Sequence, residues 1–327
     1  MKFAVIGTNA ITDRFLKAAM QIPDFELAAV YSRTIETGRT FAERYRVSKV
    51  FTNLEEMAKS SFIECVYIAS PNSFHKEQAI LFLTNKKNVL CEKSFGSNSK
   101  DITEMIQASV NNNVILMEAF KPAYTPVFTA IQESLPEIGK VRHFMSSYCQ
   151  YSSRYDNYKK GYIQNAFKTE FSNGALMDIG VYTIGFMTRL FGKPDEIKSM
   201  GIMLESGVDG FGNTIVKYSN GMTGTYVYSK ISNSNMECNI QGEDGTIYFD
   251  SVNTPTNARI VYRDKRLEDI SKQTCEDEMI YETKEFIRLI KENNRSKCNA
   301  YLDYSLKTIQ IMDEIRDQIG LVFPADN

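Results

Sequence analysis

Short apolar runs alternate with helix-period segments through the first 120 residues of the chain. Positions 3–6, 27–31, 50–51, 66–69, 89–91 and 114–117 are β-branched or aliphatic stretches of strand length. Between them the pattern becomes amphipathic. Ile102, Met105, Ile106 and Val110, after Ser99, fall on one helical face, and Asn53-Leu54-Glu55-Glu56 has the spacing of a capping box that opens another helix. Strands apolar on both faces and separated by helices predict a parallel sheet covered on both sides, the doubly wound Rossmann arrangement.

After about Lys121 the texture changes. Pro122, Pro126 and Pro136 interrupt the chain, and long strand-like segments follow. The clearest hairpin joins 216–218 to 222–228 through Ser219-Asn220-Gly221, because Asn-Gly supplies the positive φ of a tight turn; Asp244-Gly245 marks another. One helix is predicted inside this half, over 174–191, with Leu176, Ile179, Phe186, Met187 and Leu190 apolar, Gly192 as its stop and Pro194 beyond. Residues 278–291 and 301–319 are helical by period. The expectation is an α/β chain in two domains. Residues 1–120 form the nucleotide-binding Rossmann part. Residues 121–327 form a substrate-binding part with a large, mostly antiparallel open sheet, whose bare face suits a homodimer or homotetramer and whose C-terminal helix can pack back on the first domain.

Composition narrows the partners. A length of 327 residues suits about two domains. With 38 Lys+Arg against 40 Asp+Glu and no block of like charge, nothing electrostatic favours nucleic acid or a membrane surface. The apolar run before Gly7 is too short for a signal-peptide core or a membrane span, so the cytoplasm is expected. Six dispersed cysteines without a C-x-x-C pair, and two histidines, read as reduced thiols and no structural metal. Tryptophan is absent beside 18 Tyr and 20 Phe.

In an open parallel sheet, ligands bind outside the carboxyl ends of the strands. There the chain delivers Gly7-Thr8-Asn9-Ala10-Ile11-Thr12, Ser32-Arg33, Ala69-Ser70-Pro71-Asn72, Glu92-Lys93 and Glu118. The first loop stands where a dinucleotide fingerprint would, but keeps only its first glycine; Asn9 tolerates a left-handed backbone, so close approach of a pyrophosphate is retained. Ser32-Arg33 offers a hydroxyl and a cation, which suits the 2′-phosphate of NADP over the free ribose of NAD; a solvated arginine is the bland alternative. Lys93 at a central strand end can hydrogen-bond a substrate oxygen and assist proton transfer, or form a surface ion pair. Asp178 and Tyr182 are four apart on one helical face. If that face meets the strand-end crevice, Tyr182 can donate a proton and Asp178 can orient it or Lys93. Otherwise Asp178 bonds a backbone amide and Tyr182 is a core residue with a wet hydroxyl.

With those residues in view, the chain resembles the Gfo/Idh/MocA oxidoreductases over essentially its full length, and among them the branch of dimeric dihydrodiol dehydrogenase, NADP-dependent pentose dehydrogenases and glucose–fructose oxidoreductase. Ser70-Pro71-Asn72-Ser73-Phe74-His75 is similar to the family's T-P-N-x-x-H, Cys91-Glu92-Lys93-Ser94 to C-E-K-P, and Met117-Glu118-Ala119 to M-E-A. Residues 172–182 are similar to G-G-G-A-L-x-D-I-G-x-Y. The resemblance implies hydride transfer between a sugar- or diol-type carbinol and a nicotinamide. Lys93 would be the central catalytic lysine, Tyr182 the acid/base and Asp178 the residue that positions them, with Gly7 to Ile11, Ser32, Arg33, Ala69 to Asn72, His75, Glu92 and Lys93 around the cofactor. A phenol with an ordinary pKa near 10 would need the Lys93 ammonium to favour its ionised form. Asn9, Thr12, Ser94 and Pro122-Ala123 depart from the family pattern, the last pair where Trp and Arg are common. Two other readings stay open: a non-catalytic NADP-binding regulator, and a reductase of a C=C or C=N bond.

Overall fold

The computed structural model describes residues 1–326. Contacts divide the chain into two compact units, Met1–Phe120 with Cys275–Leu306, and Lys121–Thr274 with the residues from Lys307 onward.

In the first unit β1 (Lys2–Ile6), β2 (Glu26–Tyr31), β3 (Val50–Phe51), β4 (Cys65–Ile68), β5 (Asn88–Glu92) and β6 (Leu116–Ala119) form a parallel sheet in the order β3-β2-β1-β4-β5-β6. That order reverses at β1 and β4, the switch point at which a crevice opens beyond the strand ends. The helices between the strands are α1 (Ala10–Ala19), α2 (Ile35–Arg44), α3 (Leu54–Ala58), α4 (His75–Thr84) and α5 (Ser99–Asn112). Phe3, Val5, Val66, Ile68, Val89 and Leu90 are fully or almost fully buried, each contributing roughly 1.5–3 kcal/mol of apolar transfer. Asn53 caps α3 by accepting from the Glu56 amide at 3.1 Å. One position on α5 differs from the periodic pattern. Val110 is exposed and Ser109 is buried in its place, donating to the Val114 carbonyl at 2.6 Å. The helix stops at Asn113 in a left-handed conformation, and this hydroxyl fastens the returning chain.

In the second unit α6 (Pro126–Ser134) and α7 (Tyr155–Lys159) appear where the sequence suggested only interruption and strands. Pro126 opens α6 because a first-turn proline gives up no helical hydrogen bond, and Thr125 caps it through the Phe128 amide at 3.2 Å. The strands β7 (Val141–Cys149), β8 (Glu196–Met203), β9 (Asp209–Lys217), β10 (Thr223–Ser229), β11 (Cys238–Gly242), β12 (Gly245–Phe249), β13 (Arg259–Tyr262) and β14 (Leu267–Asp269) run in the order β14-β13-β12-β11-β7-β10-β9-β8. All neighbours are antiparallel except β7 and β10. The helix expected over 174–191 is a π-helical turn, Leu176–Gly180, running into α8 (Val181–Phe191). It covers one face of the sheet, where Phe186 stacks on Phe249 and Phe191 on Phe144. The opposite face is bare: Met200 is 81% exposed and Ile215 58%. The chain ends in α9 (Met279–Lys291) and α10 (Arg295–Ile319), the latter passing from the first unit to the second. Among the described residues no helix is long and apolar enough to cross a membrane.

Candidate active site

The first unit assembles its polar groups at the carboxyl ends of β1, β2, β4 and β5. Gly7 ends β1 with φ +111°, and a Cβ there would lie 2.9 Å from the Ala69 carbonyl oxygen, so both backbone angle and space require glycine. Asn9 does not use the left-handed conformation. Its backbone is extended, with φ −101°, and its side chain caps α1, Oδ1 accepting from the Ile11 and Thr12 amides at 3.2 Å each. Nδ2 donates to the Ala69 carbonyl at 2.9 Å, tying the loop to β4. Thr8 is half-buried and Ala10 exposed beside it.

After β2, Ser32 is buried and its amide donates to the Phe51 carbonyl at 3.1 Å, while Arg33 is exposed immediately before the α2 cap, Thr34. Thr8, Thr37, Thr40, Phe41 and Arg44 line an open cleft on this side. The Arg44 guanidinium pairs with Asp13 at 2.8 Å over the Phe41 ring.

Burial separates the roles of the remaining positions. His75 is fully buried, with Nε2 2.8 Å from the Ser70 carbonyl oxygen and Nδ1 2.9 Å from that of Ser94. The imidazole therefore ties the loop after β4 to the loop after β5. Burial lowers its pKa and the Lys93 ammonium adds to this, against the two carbonyls. Ser70 Oγ donates to Gln78 at 2.8 Å, and Asn72 is nearly buried. Glu92 is buried: its carboxylate accepts from the Tyr67 hydroxyl at 2.7 Å, and the Tyr67 ring stacks on Phe15 with centroids 3.7 Å apart. Burial pushes the Glu92 carboxyl up, against the Tyr67 donor and the Lys93 charge. Lys93 is half-buried at the mouth of these loops, and the Lys93–Ser94 peptide is cis with serine in the place of proline. Glu118 accepts from Ser305 Oγ at 2.6 Å, so the M-E-A glutamate is committed to α10.

The second unit holds the other two. Asp178 lies in the π-helical turn and Tyr182 in the first turn of α8. Asp178 Oδ2 is 2.7 Å from Nζ of Lys230, a residue that no pattern in the sequence marked. Tyr182 is half-buried with its ring edge-on to Tyr148, centroids 5.8 Å apart; the Tyr148 hydroxyl donates to Gln150 at 3.1 Å and accepts from Asn253 at 2.9 Å. A second unmarked residue, Asp209 on β9, is fully buried and accepts from the Leu176 amide at 2.8 Å. Burial pushes its carboxyl up to about 6, against the Leu176 amide and the charge of Lys230. Gly174 has φ +140°, and a Cβ there would stand 2.2 Å from Asp209 Oδ1. The only available sequence signal was the retained glycine of the G-A-L-x-D segment. Pro122 and Ala123 lie in a 3₁₀ turn, where Thr125 Oγ1 donates to the Pro122 carbonyl at 2.9 Å.

A nucleotide-type loop at the switch point of a parallel sheet, followed by a unit with an open antiparallel sheet, defines a two-part dehydrogenase architecture. Residues 1–120 match the model described as oxidoreductase family, NAD-binding Rossmann fold, and residues 135–248 match the GFO/IDH/MocA C-terminal domain. The chain belongs to the Gfo/Idh/MocA oxidoreductase family. It is 50% identical over 326 residues to the scyllo-inositol 2-dehydrogenase (NADP(+)) IolU of Bacillus subtilis, covering 100% of this chain and 99% of that one. It is 26% identical to the trans-1,2-dihydrobenzene-1,2-diol dehydrogenase of Mus musculus, over 100% of this chain and 99% of that one. The fold superimposes on the 3-ketoreductase KijD10 of Actinomadura kijaniata with a TM-score of 0.86, at 21% identity and 98% of each chain.

Proposed function

We propose that this chain is an NADP-dependent dehydrogenase that oxidises a CH–OH group of a polyol or sugar, or reduces the corresponding ketone, with a cyclic polyol of the inositol class as the first substrate to try. The observation that carries this reading is the 50% identity, over the whole of both chains, to an NADP-dependent scyllo-inositol dehydrogenase. Residues 1–120 serve as the nucleotide-binding part and the remainder, apart from the returning helices, as the substrate-binding part. Gly7 lets the loop turn tightly against the Ala69 carbonyl at the α1 N-terminus, where Thr8, Ala10 and Ile11 suit a pyrophosphate. Arg33, exposed at the start of α2, suits a 2′-phosphate, which a guanidinium can bind with two hydrogen bonds. Ala69, Ser70, Pro71 and Asn72 form the facing loop; His75 and Glu92 act indirectly, by fixing the loops that carry Ser70 and Lys93. When bound, the nicotinamide supplies or accepts the hydride.

The proton is the protein's task. Lys93 and Tyr182 are the proton-transfer groups, stabilising the negative charge that develops on the substrate oxygen, and Asp178 is the positioning residue. A fluorescence titration with NADPH and NADH, followed by a polyol and sugar panel, tests this. Wild type should bind NADPH more tightly and turn over at least one inositol isomer. Lys93→Ala should lose turnover by on the order of a thousandfold while retaining NADPH. Tight NADPH binding without turnover on any member would replace the enzyme by a cofactor-binding regulator. We further propose self-association into a dimer or tetramer through the bare sheet face around Met200, Ile202 and Ile215; a monomer in sedimentation velocity at micromolar concentration removes that.

A further inference from the structure

We propose that Lys230 is a positioning residue of the hydride-transfer site: a buried ammonium that holds the Asp178 carboxylate in one orientation from behind. The inference rests on the reading that Asp178 belongs to that site. Lys230 follows β10 and its side chain is 2% exposed, whereas that of Asp178 is 37% exposed. An ammonium that far from water is costly unless paired and hydrogen-bonded. Here Nζ meets Asp178 Oδ2 at 2.7 Å and the Ala166 carbonyl oxygen at 3.3 Å, and sits 5.1 Å from the Phe167 ring centroid. Phe167 in turn packs on Tyr155 and Tyr158, with ring centroids 5.8 and 5.2 Å away, so the lysine rests against an aromatic cluster. The Lys230 charge also favours the ionised form of the Asp209 carboxyl, against the burial that raises it.

The asymmetry of burial is what points to positioning. A pair kept for stability alone has little reason to seal one partner and leave the other reaching solvent, since an apolar replacement of a buried pair is often no worse. Sealing the cation and presenting the anion suits a carboxylate that must meet something outside the protein at a fixed angle. The π-helical turn that carries Asp178 fits this, because such local widening re-aims a side chain without breaking the helix.

The test uses the full-length protein and the fastest polyol of the panel above, with NADP⁺. Lys230→Met should keep NADPH affinity within about twofold and lose roughly tenfold to a hundredfold in kcat, while Lys230→Arg, which keeps the charge, recovers most of it. In an Asp178→Asn background the same Lys230→Met change should cost less than about threefold more, because a residue acting through Asp178 has nothing left to position. Unchanged kcat in Lys230→Met, or losses that multiply in full with Asp178→Asn, would overturn the proposal. Wild-type turnover in Asp178→Asn alone would instead overturn the reading of Asp178. Should the Met variant fail to fold by circular dichroism, Lys230→Gln, which keeps a donor without the charge, decides by the same readings.

Discussion

The two segments that carry the candidate chemistry, α1 and the helix that begins at Leu176, both follow a glycine with positive φ, and in both a side-chain oxygen meets the first amides. They differ in where that oxygen comes from. At α1 it comes from Asn9, an exposed neutral neighbour on the same loop. At Leu176 it comes from Asp209, a fully buried carboxylate 33 residues further along the chain. The local cap fixes the helix start and adds one bond to the Ala69 carbonyl beyond β4. The remote cap fastens the helix to the sheet and brings an ionisable group into the core, so geometry, stability and pH become linked at this helix start and not at that of α1.

Substitutions at three positions test that contrast. The largest effect belongs to Gly174→Ala, where the added methyl would stand 2.2 Å from the Asp209 oxygen on a backbone of φ +140°. Neither side can yield cheaply, since the carboxylate is short and buried. The expected loss is about 2–4 kcal/mol, read by urea unfolding with circular dichroism. A loss below about 1 kcal/mol would mean that the helix start and Asp209 are not locked together.

Next comes the pH dependence. The Asp209 carboxyl is raised to about 6 from an ordinary value of 3.8, so the folded state resists its ionisation more than the unfolded state does. The favourable contribution is complete below about pH 3.8, fades as pH rises towards 6 and is gone above that. Asp209→Asn, which keeps an oxygen for the Leu176 amide, should therefore gain on wild type by on the order of 2 kcal/mol between pH 4 and pH 7.5. A difference between the two proteins that stays constant over that range would show that Asp209 carries no such linkage.

The same contrast decides what was legible in the sequence. The Rossmann sheet was, because its strands are apolar runs of buried residues and its helices carry local caps such as Asn53. The positions of Lys93, Asp178 and Tyr182 on strand end and helix were legible as well. Val110 misled because periodicity counts apolar residues and cannot see a serine claimed by the returning chain. Asn9 was read as a stand-in for glycine, but its side chain found better use in the amides of Ile11 and Thr12 than its backbone did in a left-handed turn. The helices at 126–134 and 155–159 were hidden by prolines and by a run of tyrosines with weak helical preference. Lys230 and Asp209 were invisible for a different reason: each is an ordinary charged residue beside a strand, and only the pairing of β9 with β10 brings both beneath the segment they serve.

The smallest effect sharpens the local side of the comparison. Asn9 accepts from two amides of α1 and donates to the Ala69 carbonyl, so Asn9→Ala removes a cap and one loop tie and should cost about 1 kcal/mol. Asn9→Gly should cost only a few tenths of a kcal/mol, because glycine leaves the helix start accessible to water. Neither change should alter how stability varies with pH, since nothing that ionises is gained or lost. The measurement is the urea midpoint of both variants at pH 4.5 and pH 7.5. A loss in Asn9→Ala as large as that of Gly174→Ala would mean that this cap, too, fastens its helix to the sheet, through the single bond from Asn9 to Ala69.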